Sequence, residues 1–286
     1  MRAPRVVRPT AATARPVSSE PGIAPSATAV AGSDPRRARR SHPPITDMDR
    51  SPAHPFPHAL ILGHRGASAE APENTMRAFR LALEHGADGV ELDVQRSADG
   101  VPVVIHDPTL ERTTDGTGAV SDLPWPAISR VRSRGEPVPR LDEVAAWAAA
   151  EGAWLNVEIK APGVEAATVA VIRAAGMMER TVFSSFDGGS VAEVGVVAPD
   201  ATRYLLTETW DDSVIATARR IGAGGICLHG PLATHDALQR LRKESLPVVI
   251  WTVDDPDRIA ELLRAGVAAV ITNRPAVGVE ARSRVR

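Results

Sequence analysis

The chain has 286 residues, 43% of them hydrophobic and 24% charged, with a formal net charge of −2. That supplies apolar material for a full core, and no run of about 18 apolar residues suggests a membrane span. The charge is uneven: residues 1–47 hold eight arginines and three acids, and the acidic remainder argues against general nucleic-acid binding. Cys227 is the single cysteine, which excludes an intrachain disulfide and a multi-cysteine metal site. Its setting, GGICLHG, reads as a buried strand carrying a structural thiol.

Residues 1–57 are rich in Pro, Ala, Arg and Ser and poor in periodic apolar residues. They are expected to form a disordered N-terminal arm, because they cannot bury enough apolar surface to offset chain entropy. The pairs Arg36-Arg37 and Arg39-Arg40 hint at an export signal, but SHPPITDMDR follows without an apolar core. The expectation is therefore no signal peptide, no integral membrane segment and a cytoplasmic protein.

From Ala59 onward, short apolar runs alternate with longer helical stretches, as in a parallel α/β sheet. Strands are expected at 59–63, 89–95, 101–106, 154–159, 181–184, 202–206, 224–228, 247–252 and 268–271. The second and third are separated only by Arg96 to Gly100, so they form a hairpin turning at Asp99-Gly100. Helical stretches such as NTMRAFRLALEHG, LDEVAAWAAAEG, DDSVIATARRIG and DPDRIAELLRAG carry Asn or Asp at or near their starts, and most close on Gly. Eight β/α units in about 220 residues predict a TIM (β/α)8 barrel. It spans 58–278, with a β-hairpin excursion after the second strand, a short insertion over 108–139 and a C-terminal tail at 279–286. A doubly wound open sheet is the alternative, but no Gly-rich phosphate fingerprint follows the first strand.

A barrel puts its working residues at the C-terminal ends of its strands. His64 and Arg65 follow the first strand there. Glu91 and Asp93 in VELDV are two apart and share a strand face, where two like charges favour a divalent cation between them. The hairpin brings His106 back near their level, and Glu158 and Lys160 in LNVEIK repeat the two-residue spacing. Glu73 and Asn74 in PENT read equally as supports of a metal shell or, with Thr75, as a helix cap. Phe186 and Trp251, at strand ends, suit either an apolar pocket wall or core packing. His85, His229 and the pair Asp254-Asp255 read as structural or capping residues.

The ordered set HRG, PENT, ELDV, the DG turn, VVIHD, ERTT, NVEIK, SSF and WTV, over about residues 60 to 275, resembles the glycerophosphodiester phosphodiesterase family. The resemblance implies one divalent cation, calcium or magnesium with manganese as a further option. It implies a small-molecule glycerophosphodiester substrate, cleaved to glycerol 3-phosphate and an alcohol. By the same resemblance the metal ligands fall on Glu91, Asp93 and Glu158, the catalytic histidines on His64 and His106, and the phosphate-contacting cations on Arg65 and Lys160. All-oxygen ligation suits a hard cation. One imidazole would activate the neighbouring glycerol hydroxyl to form a cyclic phosphate that water opens, with the order of acid and base left open. Where the family usually shows WTVN and TDxP, this chain has Asp254 in WTVDD and Asn273 in TNRP; these exchanges bear on head-group preference. Other readings are phospholipase D-like or sphingomyelinase-like action on a lipid and a non-catalytic binding barrel. A metal-dependent amidohydrolase would need a His-x-His pair where this chain has His64, Arg65 and Gly66.

Overall fold

The computed structural model describes residues 56–285. Its strands are β1 (Leu60–His64), β2 (Gly89–Arg96), β3 (Pro102–Val104), β4 (Arg132–Ser133), β5 (Glu136–Pro137), β6 (Trp154–Ile159), β7 (Thr181–Ser185), β8 (Thr202–Thr207), β9 (Gly225–His229), β10 (Val248–Trp251) and β11 (Ala269–Thr272). Setting aside β3, β4 and β5, the other eight pair in parallel in chain order. β1 closes the ring by pairing with both β2 and β11. The result is the expected closed TIM barrel.

Alternation along each strand explains how one wall serves two environments. Leu60, Leu62, Val182, Tyr204, Leu206, Cys227, Val249 and Ile271 cluster together and fill the barrel interior. The intervening residues, such as Ile61, Leu205, Ile226, Ile250 and Val270 on one side and Val90, Leu92, Val157 and Phe183 on the other, pack under the helices. Truncating one such fully buried side chain to Ala would cost about 2–5 kcal/mol. Gly89 is required where β2 and β6 touch, because a Cβ there would lie 2.0 Å from the Trp154 carbonyl oxygen. Burial raises the pKa of the Cys227 thiol, in keeping with a structural role.

β3 runs antiparallel to the end of β2, pairing Val94 with Val104 and Arg96 with Pro102. The strand is shorter than the expected 101–106. Pairing persists through one more bond, from Ile105 N to Asp93 O at 3.0 Å, and Gln95 Nε2 then holds the His106 carbonyl at 2.9 Å. His106 thus sits at the level of Leu92, between Glu91 and Asp93. The insertion after it folds around a small core of Ile105, Leu110, Val120, Ile128, Val131 and Val138, and contains the helix Trp125–Ile128 and the β4–β5 pair.

Two boundaries differ from expectation. Residues 279–283, expected in a C-terminal tail, continue the helix Pro275–Ser283: Ala281 is buried, and Arg282 reaches the Asp88 carboxylate. The arm expected over 1–57 lies outside the described residues up to 55. Phe56, however, is buried edge-on against Trp154, with ring centroids 5.0 Å apart, so the barrel begins there.

Candidate active site

The turn after β1 starts the site. Arg65 and Gly66 both have positive φ, 55° and 85°, and a Cβ on Gly66 would come 2.5 Å from the Ala78 carbonyl carbon. Only Gly satisfies both the conformation and the contact. The turn aims the Arg65 N–H at Glu91 Oε2, 2.9 Å away. Register does the rest: His64 stands beside Glu91 across β1–β2, and Asp93 beside Glu158 across β2–β6.

Glu91, Asp93 and Glu158 are all buried and each offers an oxygen within 4.8 Å of the others. Burial and the neighbouring Asp93 and Glu158 charges push Glu91 well above the usual carboxylate range. Burial and Asp93 raise Glu158 to about 7. Lys160, whose Nζ is 2.6 Å from Glu158 Oε1 and 3.7 Å from Asp93 Oδ1, is itself raised, because carboxylate attraction outweighs its own burial. Glu158 rises despite this partner, because its burial and the Asp93 charge together outweigh the ammonium. Asp93 Oδ1 is buried without a hydrogen-bond donor. An all-carboxylate, underneutralised cluster with an orphaned oxygen fits a hard divalent cation.

Arg65 turns inward as well, its Nε 3.1 Å from Asp93 Oδ2 and its guanidinium 2.7 Å from Glu73 Oε1. On the other side, His106 Nδ1 lies 2.6 Å from Asp107 Oδ1 and its Nε2 lies 3.2 Å from Lys160 Nζ. His64 Nδ1 lies 2.7 Å from Asn273 Oδ1 and its Nε2 3.9 Å from Glu91 Oε2. Burial, then Arg65, lowers the His64 pKa. A cavity collects His64, Arg65, Glu91, His106, Glu158, Lys160, Phe186 and Trp251, with Leu206 and Ile271 as further apolar wall. Asp93 lies beneath it, fully buried. Phe186 and Trp251 meet edge to face at 5.5 Å, so both belong to the cavity wall.

Arg112 and Asp107 escaped the sequence reading, while the PENT residues, left open there between metal-shell support and helix cap, divide the two tasks. Thr75 alone caps the helix Met76–Glu84, accepting from Ala78 N. Asn74 instead takes a left-handed φ of 56° and donates to Asp93 Oδ2 at 2.8 Å. Glu73 is held down to about 2, where hydrogen bonds from Arg112 and the Arg65 charge overcome its burial. Arg112, from the insertion, grips both Glu73 and Asp107 and holds the Asp107 pKa low. The ERTT motif carried the signal for Arg112. Asp255 is the helix cap, whereas Asp254 bonds Asn273.

A closed β/α barrel that gathers three buried carboxylates, two imidazoles and two cations at its C-terminal rim defines a rim-site barrel built to handle an anion with a cation's help. The chain belongs to the glycerophosphoryl diester phosphodiesterase family, whose profile matches residues 64–277. It is 34% identical over 229 residues to a glycerophosphodiester phosphodiesterase of Caldanaerobacter subterraneus, covering 76% of this chain and 94% of the relative. It is 30% identical to one of Bacillus altitudinis, covering 79% and 99%. Among solved structures, an Oleispira antarctica phosphodiesterase in complex with the product sn-glycerol-3-phosphate superposes with a TM-score of 0.72 at 25% identity, over 79% of this chain and 97% of that one. An Agrobacterium tumefaciens glycerophosphodiester phosphodiesterase gives 0.69 at 30% identity, over 78% and 99%.

Proposed function

We propose that this protein hydrolyses small glycerophosphodiesters to glycerol 3-phosphate and an alcohol, with one divalent cation, calcium or magnesium, held by Glu91, Asp93 and Glu158. The observation that carries the reading is the carboxylate cluster, within 4.8 Å and opening on a cavity shared by two imidazoles. Family membership and the product-bound relative support it. When bound, the cation polarises a nonbridging phosphoryl oxygen and offsets the charge that builds there.

The remaining work falls to the chain. His64 Nε2 takes the proton of the glycerol hydroxyl beside the ester as that oxygen bonds to phosphorus. The bond from phosphorus to the alcohol oxygen breaks, and protonated His106 gives its proton to that oxygen. Asp107 orients the His106 ring and faces its positive charge. Water then opens the cyclic phosphate with the two imidazoles in reversed roles. Arg65 and Lys160 are the cations nearest the developing negative charge, and Phe186 and Trp251 offer an apolar face to the substrate carbons. Phe186 and Val196 are the large hydrophobics exposed among the described residues, too little apolar rim for a bilayer substrate, which favours deacylated diesters over lipids.

The test is to strip the protein of metal, offer it glycerophosphodiesters differing in alcohol, and restore calcium, magnesium or manganese singly. Release of glycerol 3-phosphate with at least one metal is expected; none on any diester with any metal overturns the reading.

A further inference from the structure

The hydrogen bonds behind His64 decide which of its nitrogens faces the cavity. Asp254 follows β10 and Asn273 follows β11. Both N–H groups of Asn273 point at one carboxylate: its backbone N reaches Asp254 Oδ1 at 2.8 Å and its Nδ2 reaches Oδ2 at 2.7 Å. Thr272 Oγ1 donates to the same Oδ1 at 2.8 Å. A carboxylate only accepts, so reversing the Asn273 amide would set oxygen against oxygen. The amide Oδ1 is thereby turned the other way, where Ser68 Oγ donates to it at 2.9 Å and His64 Nδ1 stands at 2.7 Å. An amide oxygen has no proton to give, so His64 Nδ1 must carry one. In the neutral ring the lone pair then lies on Nε2, the atom on the Glu91 side.

We propose that Asp254 and Asn273 are positioning residues that lock His64 in its Nδ1–H tautomer and leave Nε2 free to take the substrate proton. The inference rests on the reading of His64 as a base given above, and it adds two residues that do not line the cavity. It also joins two departures from the usual family pattern that the sequence presents separately. Asp254 and Asn273 form one carboxylate–amide pair, so each exchange is intelligible only with the other.

The pair predicts a specific rescue. Asp254→Asn replaces one of the two accepting oxygens with an NH2 donor, so the side chain can no longer accept from both the Asn273 backbone N and its Nδ2, and Asn273→Ala removes the amide. The double variant Asp254→Asn with Asn273→Asp restores an amide donor facing a carboxylate, and an acceptor facing Nδ1. Long-range ¹H–¹⁵N NMR of histidine side chains in the full chain, with magnesium and with chelator, reads the tautomer directly, His64→Gln assigning the signal. The expected result is Nδ1–H in the unaltered protein and loss of that pattern in both single variants. kcat should fall at least about tenfold in each, with KM within about twofold, and both readouts should return in the double variant. An Nε2–H ring in the unaltered protein, an unchanged tautomer in the single variants, or a double variant no better than they are overturns the proposal. The NMR arm needs no turnover, so it stands even if no diester is hydrolysed, and the double variant decides the matter if a single one fails to fold.

Discussion

Three buried carboxylates cannot all stay ionised side by side without a counter-charge. Glu158, at about 7 in the folded metal-free chain against 4.5 ordinarily, holds its proton between those values only when folded. Its contribution to stability is therefore fully present below its ordinary value and is lost as pH rises through about 7. The melting temperature of chelated protein should fall from pH 6 to pH 8, and the fall should shrink in Glu158→Gln and when magnesium is added. His64→Ala and His106→Ala should each lower turnover by more than about a hundredfold, measured as glycerol 3-phosphate release; near-normal rates would remove those residues from the chemistry. The first row of this site could be read from spacing, because residues two apart on a strand share a face. Asp107 and Asn273 could not, and for Asn74 the sequence leaves metal-shell support and helix capping equally open. Asn273 bonds His64, 209 residues away in the sequence; Asp107 bonds the neighbouring His106 ring, a contact set by local side-chain geometry that spacing does not encode; and Asn74 has the residue type of a cap but leaves that task to Thr75 and reaches Asp93.

Among the elements, the turn after β1 and the insertion are the most exposed to test. Gly66→Ala would force both a strained φ and a collision with the Ala78 backbone. It should cost about 2–4 kcal/mol, seen as a melting temperature lower by roughly 5–15 °C. The insertion is tied to the barrel rim by Arg112, which bonds Asp107 and Glu73. Arg112→Ala should speed hydrogen exchange across 108–139 while changing the melting temperature little, since the pair is half exposed and the small core under it remains. The hairpin was readable from its five-residue connection, and the helices from their caps. The helix Pro275–Ser283 was misjudged because GVEARS is short and polar; what orders it is contact with the β1 and β11 backs, where Gly278 meets Ile61 and Thr272, and the reach of Arg282 to Asp88.

At the scale of the molecule, the alternation of apolar runs and capped helices sufficed for the barrel, because eight parallel strands with covering helices have few other ways to bury both faces. The closure that this fold requires is made by β1, which pairs with both β2 and β11. A bound cation should stabilise the folded chain alone. At a hundredfold excess over its dissociation constant the gain is about 2.7 kcal/mol, visible as a rise in melting temperature that Glu91→Gln abolishes. The closing role of β11 has a consequence for how the protein comes into being. A chain still on the ribosome has every carboxylate of the cluster and both imidazoles once Glu158 is made, yet more than a hundred residues must follow before the amide that bonds His64 emerges beside the final stave. The proposed metal ligands and imidazoles are thus written early and the residues that align His64 late, so a chain interrupted before β11 would carry the carboxylates and both imidazoles without their finished geometry.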